Sequence, residues 1–118
     1  MKNLLVISNH SPEKWGEEQK KGWDRIDYIP FPNVPPQADM MEIINLATNL
    51  CGKIGSWVKE NPEGKVCIQG DFSLCYVIYR AIDDPIFVFP TTERVVEEKQ
   101  TEDGRIEKLY RFRFVRWR

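Results

Sequence analysis

The sequence predicts an α/β domain: a parallel sheet flanked by helices and finished by a C-terminal antiparallel hairpin. Three observations carry this. Short apolar runs alternate with helical patterns as far as Thr92, and beyond it the hydrophobic period changes to two. Asp103-Gly104, a strong hairpin turn signal, stands between the two alternating segments.

Leu4-Leu5-Val6-Ile7 is a continuous apolar run, as expected of a strand buried on both faces. Ser11-Pro12-Glu13 has the order of a helix start, and the helix is expected to reach about Lys21, weakened by Gly16 and ended by Gly22. Arg25–Ile29 alternates and predicts a second strand, stopped by Pro30. Pro32, Pro35 and Pro36 then mark an extended crossing loop. From Asp39 to Glu60, Met40, Ile43, Ile44, Ala47, Leu50, Cys51, Ile54, Trp57 and Val58 form one helical stripe. Val66-Cys67-Ile68 predicts a short buried strand, and Phe72–Ile82 a helix with Leu74, Val77, Ile78 and Ala81 inward. Pro85–Phe89 predicts a further buried strand. Strands and helices in alternation give a parallel sheet with right-handed crossovers, a Rossmann-like core. Val95–Lys99 and Ile106–Val115 are the expected hairpin strands.

At 118 residues there is room for one domain and one core, so 1–118 reads as one domain with a hairpin extension over about 93–118. The net charge of −1 argues against a binder of duplex nucleic acid. Between Arg105 and Arg118 stand five arginines and one lysine against Glu107. Glu93, Glu97, Glu98, Glu102 and Asp103 precede them. Opposite charges in neighbouring segments predict two strands that pair with each other. No apolar run approaches the ~20 residues of a membrane span, so no membrane partner is expected. Met1–Ser8 is too short for a signal peptide and reads as the first strand. Cys51, Cys67 and Cys75 are far apart with no CxxC pair, which suits free buried thiols in a cytoplasmic protein and offers no metal site.

In open parallel sheets, ligands bind beyond the carboxyl ends of the strands. Three such ends carry polar residues: Ser8-Asn9-His10-Ser11, Gln69-Gly70-Asp71-Phe72 and Thr91-Thr92-Glu93-Arg94. Two of them run into expected helix N-termini, which offer N–H groups to an anion. His10 is the only histidine, and imidazole is the side chain suited to proton transfer near neutral pH; the alternative is a plain loop residue. Gly70 would admit a phosphate to the backbone, or would serve only the turn. Asp71 reads most simply as a helix N-cap, with a general base or a metal ligand as the alternative. Thr91 and Thr92 offer hydroxyls and Arg94 a fork for phosphate oxygens, or they form a strand start with a surface ion pair. Trp15 and Trp23 are core residues or one side of a base-stacking slot. Walker, GxGxxG, GxSxG and HExxH patterns are absent, which removes most of the weight from ATP hydrolysis, dinucleotide redox chemistry and zinc hydrolysis.

Asn9-His10, the run Val66-Cys67-Ile68-Gln69-Gly70-Asp71-Phe72, Thr91-Thr92-Glu93-Arg94, Asp103-Gly104 and the Arg/Phe-rich end occur in the order seen in a small CRISPR-associated family. The chain resembles the Csx family numbered twenty, of type III systems, over nearly its whole length apart from Trp23–Asp39. The resemblance implies a CARF-like, Rossmann-like homodimer that acts as a ring nuclease. Such an enzyme cuts cyclic oligoadenylate, most often cyclic tetra-adenylate, across the dimer two-fold and so switches off antiviral signalling. Cleavage there uses no metal and no cofactor: an adenosine 2′-hydroxyl attacks the adjacent phosphate and leaves a 2′,3′-cyclic phosphate end. Carried onto this sequence, the resemblance implies His10, Arg94 and Asp71 as catalytic residues. It implies Ser8, Asn9, Ser11, Gln69, Gly70, Phe72, Thr91 and Thr92 as substrate contacts. A binding module that sequesters the ring uncut would need the same pocket.

Overall fold

Strand β1, Asn3–Ser8, is buried along its whole length because parallel neighbours pair with both of its edges. On one side lies β2 (Arg25–Pro30), in the register Leu4↔Ile26 and Val6↔Tyr28; on the other lies β3 (Lys65–Ile68), in the register Leu5↔Val66 and Ile7↔Ile68. This structure, a computed structural model, describes residues 2–83 and 85–118. Met1, which the sequence assigns to the first strand, and Asp84 lie outside the described residues. The chain divides into two compact units, Met1–Val88 and Phe89–Arg118.

Helix α2, Met40–Glu60, starts where the Asp39 carboxylate accepts the Glu42 N–H at 2.9 Å. Its buried residues are Ile43, Ala47, Leu50 and Ile54, one face at helical spacing. The expected stripe is wider than the observed one: Met40 and Ile44 are 56% and 40% exposed. Helix α3, Phe72–Ala81, buries Leu74, Cys75 and Ile78, while Val77 is half-buried and Ala81 exposed. Residues from both helices join Leu5, Ile7, Phe31, Val66 and Ile68 in one apolar core. Fully burying a Leu, Ile or Val contributes about 1.5–3 kcal/mol, so this core is the main source of stability.

Two predicted elements differ. The helix expected from Pro12 to Lys21 is a 3-10 turn, Pro12–Lys14, followed by a four-residue helix α1, Glu17–Lys20. Trp15 and Gly16 are extended between them, and α1 buries no residue, so no apolar stripe holds a longer helix together. The Ser11 hydroxyl does accept the Glu13 N–H, and Gly22, at φ 89°, turns the chain out of the segment. The buried strand expected over Pro85–Phe89 is a short edge contact. Val66 and Phe87 form a single parallel bridge, with Val66 N–H on Ile86 O at 2.8 Å and Val88 N–H on Val66 O at 2.9 Å. Pro85 has no N–H to extend it, and the Phe89 N–H bonds Arg118 O instead. Ile86, Phe87 and Val88 are half-buried.

In the second unit, β4 (Pro90–Gln100) and β5 (Ile106–Trp117) pair antiparallel, with a register shift between Thr91 and Thr92. Gly104, at φ 83°, makes the turn. The charge pattern acts as expected: Glu93 pairs with Arg113, and Glu97 with Arg111 at 2.7 Å. Both strands are longer than predicted, because Thr91, Thr92, Glu93 and Arg94 sit inside β4 opposite the basic end of the chain.

Candidate functional site

The first unit brings two of the three polar segments together. β1 and β3 are parallel neighbours, so Ser8–Ser11 and Gln69–Phe72 leave the sheet side by side, and the Gln69 N–H donates to Ile7 O at 2.9 Å. From β1 the chain goes on to β2 on one side; from β3 it goes on through α3 to the bridge at Phe87 on the other. Strand order therefore reverses between β1 and β3, the point at which open α/β sheets hold ligands.

Support for this edge comes from groups that occupy the backbone there. Ser8 O accepts the Phe31 N–H at 3.0 Å and the Tyr28 hydroxyl at 2.9 Å; Ile68 O accepts the Tyr79 hydroxyl at 3.0 Å. Ser8 is buried, and its hydroxyl accepts the His10 N–H at 3.1 Å, so it holds the turn rather than facing outward. Asn9, His10 and Gln69 are exposed beyond it. Ser11 caps the 3-10 turn, which at three residues is too short to offer a helix N-terminus.

Phe31 was not legible as a site residue, although a lone aromatic between Pro30 and Pro32 is a signal of sorts. Its ring closes the space over Gly70, where a β-carbon would stand 2.5 Å away. Packing, rather than a positive φ, is what demands glycine there. Burial raises the pKa of the nearby Cys75 thiol, and the Gly70 backbone draws it part of the way back.

Asp71 acts as the cap of α3: Oδ1 accepts the Leu74 N–H at 3.0 Å and the Ser73 hydroxyl at 2.5 Å. The Ser73 hydroxyl, then the Leu74 N–H, hold its carboxyl below the ordinary carboxylate range, which makes it a weak proton acceptor. Phe72, the first residue of α3, is 92% exposed. Trp15 and Trp23 are half-buried.

Thr91, Thr92 and Arg94 belong to the second unit. The Thr91 hydroxyl donates to Arg116 O at 2.8 Å, and the Arg94 guanidinium lies 5.1 Å from the centre of the Tyr110 ring. Both are contacts within the hairpin.

Two clefts lie away from the sheet edge with the candidate residues. One, of about 390 Å³, is lined by Asn3, Glu60, Asn61, Pro62, Glu63 and Gly64 at the amino ends of the strands. The other, about 630 Å³ and open, lies along α2 beside Ile29. The carboxyl edge carries the exposed side chains of Asn9, His10 and Gln69, at the place where open α/β sheets hold ligands. Among the described residues, no group of three or more His, Cys, Asp or Glu side chains is placed to hold a metal ion, and no helix is long and apolar enough to cross a membrane. All three cysteines are free.

Fold and edge together define an α/β protein with a three-stranded parallel sheet, its order reversing beside an exposed histidine, and a separate antiparallel hairpin unit. The chain belongs to the family described as the uncharacterized protein MJ1673 family, whose family model matches residues 2–118. No curated protein and no solved structure matches it.

Proposed function

We propose that this chain is a CARF-like, Rossmann-like ring nuclease that binds cyclic oligoadenylate, cyclic tetra-adenylate foremost, at the edge formed by Ser8–Ser11 and Gln69–Phe72. The observation that carries the reading is the reversal of strand order between β1 and β3, which sets exposed His10 and Asn9 beside Gln69. The resemblance in Asn9-His10 and Gln69-Gly70-Asp71-Phe72 supports it. Three free thiols suit the reducing cytoplasm in which such signals act.

In this reading the amides of Asn9 and Gln69 donate to phosphate oxygens, and the exposed Phe72 ring stacks on an adenine. The ribose 2′-oxygen attacks the adjacent phosphorus, and the bond from phosphorus to the 5′-oxygen breaks. The 2′-hydroxyl loses its proton and the leaving 5′-oxygen gains one, with His10 assisting the transfer. An intramolecular nucleophile makes in-line geometry the main requirement. A two-fold homodimer matches a ring of even symmetry.

One observation favours a second reading, a module that binds the ring without cutting it: Asp71 is committed to its cap, which leaves His10 as the single candidate for proton transfer. Calorimetric titration with cyclic tetra-adenylate tests what the two readings share. One ring per two chains is expected. Phe72→Ala should weaken binding by roughly 1–3 kcal/mol, the usual worth of base stacking on an aromatic ring. No binding of rings of any size would refute both.

A further inference from the structure

The β4–β5 hairpin has two unlike faces. Residues directly opposite each other across an antiparallel pair share a face. One face carries Glu93, Val95, Glu97 and Lys99 with Arg113, Arg111, Leu109 and Glu107, and it is neutralised from within by the pairs Glu93–Arg113 and Glu97–Arg111. The other carries Thr92, Arg94, Val96, Glu98 and Gln100 opposite Phe114, Phe112, Tyr110, Lys108 and Ile106. On that second face Phe112 is 73% exposed, Ile106 65%, Tyr110 57% and Val96 44%.

A two-stranded ribbon is marginal in water without something to cover an apolar face. Val96, Tyr110 and Phe112 form an apolar patch of roughly 300 Å², with Ile106 set beyond Lys108, and patches of this size are often functional. Its charges say what fits. Val96 and Tyr110 face each other at the centre of the strip; Arg94 lies two residues to one side on β4 and Glu98 two residues to the other. Among the described residues Glu98 makes no ion pair, and the Arg94 guanidinium makes its contact with the Tyr110 ring. Along β4 the pattern is thus opposite in sign about its centre, the property that a two-fold, self-complementary interface requires, while on β5 Lys108 stands opposite Glu98.

We propose that this face is a homodimer interface, in which the hairpins of two copies of the chain pack face to face about an axis through Val96 and Tyr110 and perpendicular to the strands. That operation sets Arg94 against the partner's Glu98, Glu98 against the partner's Arg94, and Ile106 against the partner's Phe114. Sheets stacked about 10 Å apart leave room for these side chains to meet. With their polar rims, two such faces bury roughly 1,000 Å² in total, the floor for a specific interface. The inference rests on the hairpin alone and is independent of what the first unit binds.

Sedimentation equilibrium of the full chain tests it, with circular dichroism to confirm that each variant stays folded. The parent is expected to be a dimer at micromolar concentration. Val96→Asp, on the axis, should raise the dissociation constant at least tenfold, as should Arg94→Glu or Glu98→Arg alone, since each sets like charges against one another. The double variant Arg94→Glu with Glu98→Arg should restore most of the loss. A monomeric parent, or a dimer indifferent to Val96→Asp, would overturn the interface. Singles that dissociate while the double fails to recover would overturn the two-fold pairing.

Discussion

The ring of Phe31 lies where the β-carbon of any larger residue at position 70 would have to go, 2.5 Å from its edge atoms. Gly70 is thereby coupled to a residue from the loop after β2 whose N–H donates to Ser8 O at 3.0 Å, so Phe31 links both segments of the candidate site.

Gly70→Ala should therefore destabilise the protein by about 1–3 kcal/mol, the scale of overpacking in a filled space. Urea unfolding measures it. In a Phe31→Ala background the same change should cost much less, because the obstructing ring has gone. Equal costs in both backgrounds would place the glycine requirement in the turn itself.

Asp71→Ala should cost ~1 kcal/mol, the usual value of an N-cap, and Asp71→Asn considerably less. The carboxyl is held below its ordinary 3.8 by Ser73 and Leu74. A carboxylate lowered on folding stabilises the native state above its unfolded pKa, and the contribution fades as pH falls through the lower native value. The difference between Asp71→Ala and the parent should be full at pH 7 and shrink below about pH 4. Denaturant titrations at several pH values give the profile. Because Asp71 is exposed, solvent keeps the electrostatic part small.

Burial, aided by the nearby Cys75, pushes the Cys67 thiol up to about 12. The native state keeps its proton where the unfolded chain, near 9, gives it up. Stability should fall as pH rises beyond about 9. Alkylation by iodoacetamide at pH 8 should spare Cys67 in the native protein and accelerate in step with unfolding by urea. Modification of Cys67 as fast as that of half-buried Cys51 would contradict the burial.

How far the fold was legible follows from where its determinants lie. β1 and α2 could be read because their apolar residues are close in sequence and set their own period. The pairing of β4 with β5 could be read from Glu93 and Glu97 against Arg111 and Arg113, a local complementarity reinforced by Asp103-Gly104. The segment after Ser11 differs from the expected helix because capping residues signal where a helix starts and say nothing of whether it has a face to bury. The start of β4 lies before the expected one because Thr91 and Thr92 are polar enough for a loop. Their partners, Arg116 and Phe114, lie more than twenty residues on. The edge at Ser8 and Gln69 could be read from the polar residues that end two apolar runs, and the cap at Asp71 from its position before α3. The role of Gly70 was hidden because Phe31 approaches it only in three dimensions.

His10→Ala should slow single-turnover cleavage by ~100- to 10,000-fold while largely preserving affinity for the ring, the expectation for a general acid or base. A loss below about tenfold would assign the rate to geometry alone. Binding that falls in step with rate would make His10 a ligand contact.

The most direct test of the account is the fate of labelled cyclic tetra-adenylate incubated with the protein in the presence of EDTA, followed by chromatography. The account predicts linear di-adenylate ending in a 2′,3′-cyclic phosphate, formed at a rate the chelator leaves unchanged. Rings that stay intact while bound would contradict it and leave a sequestering module. Cleavage that EDTA abolishes would contradict it as well.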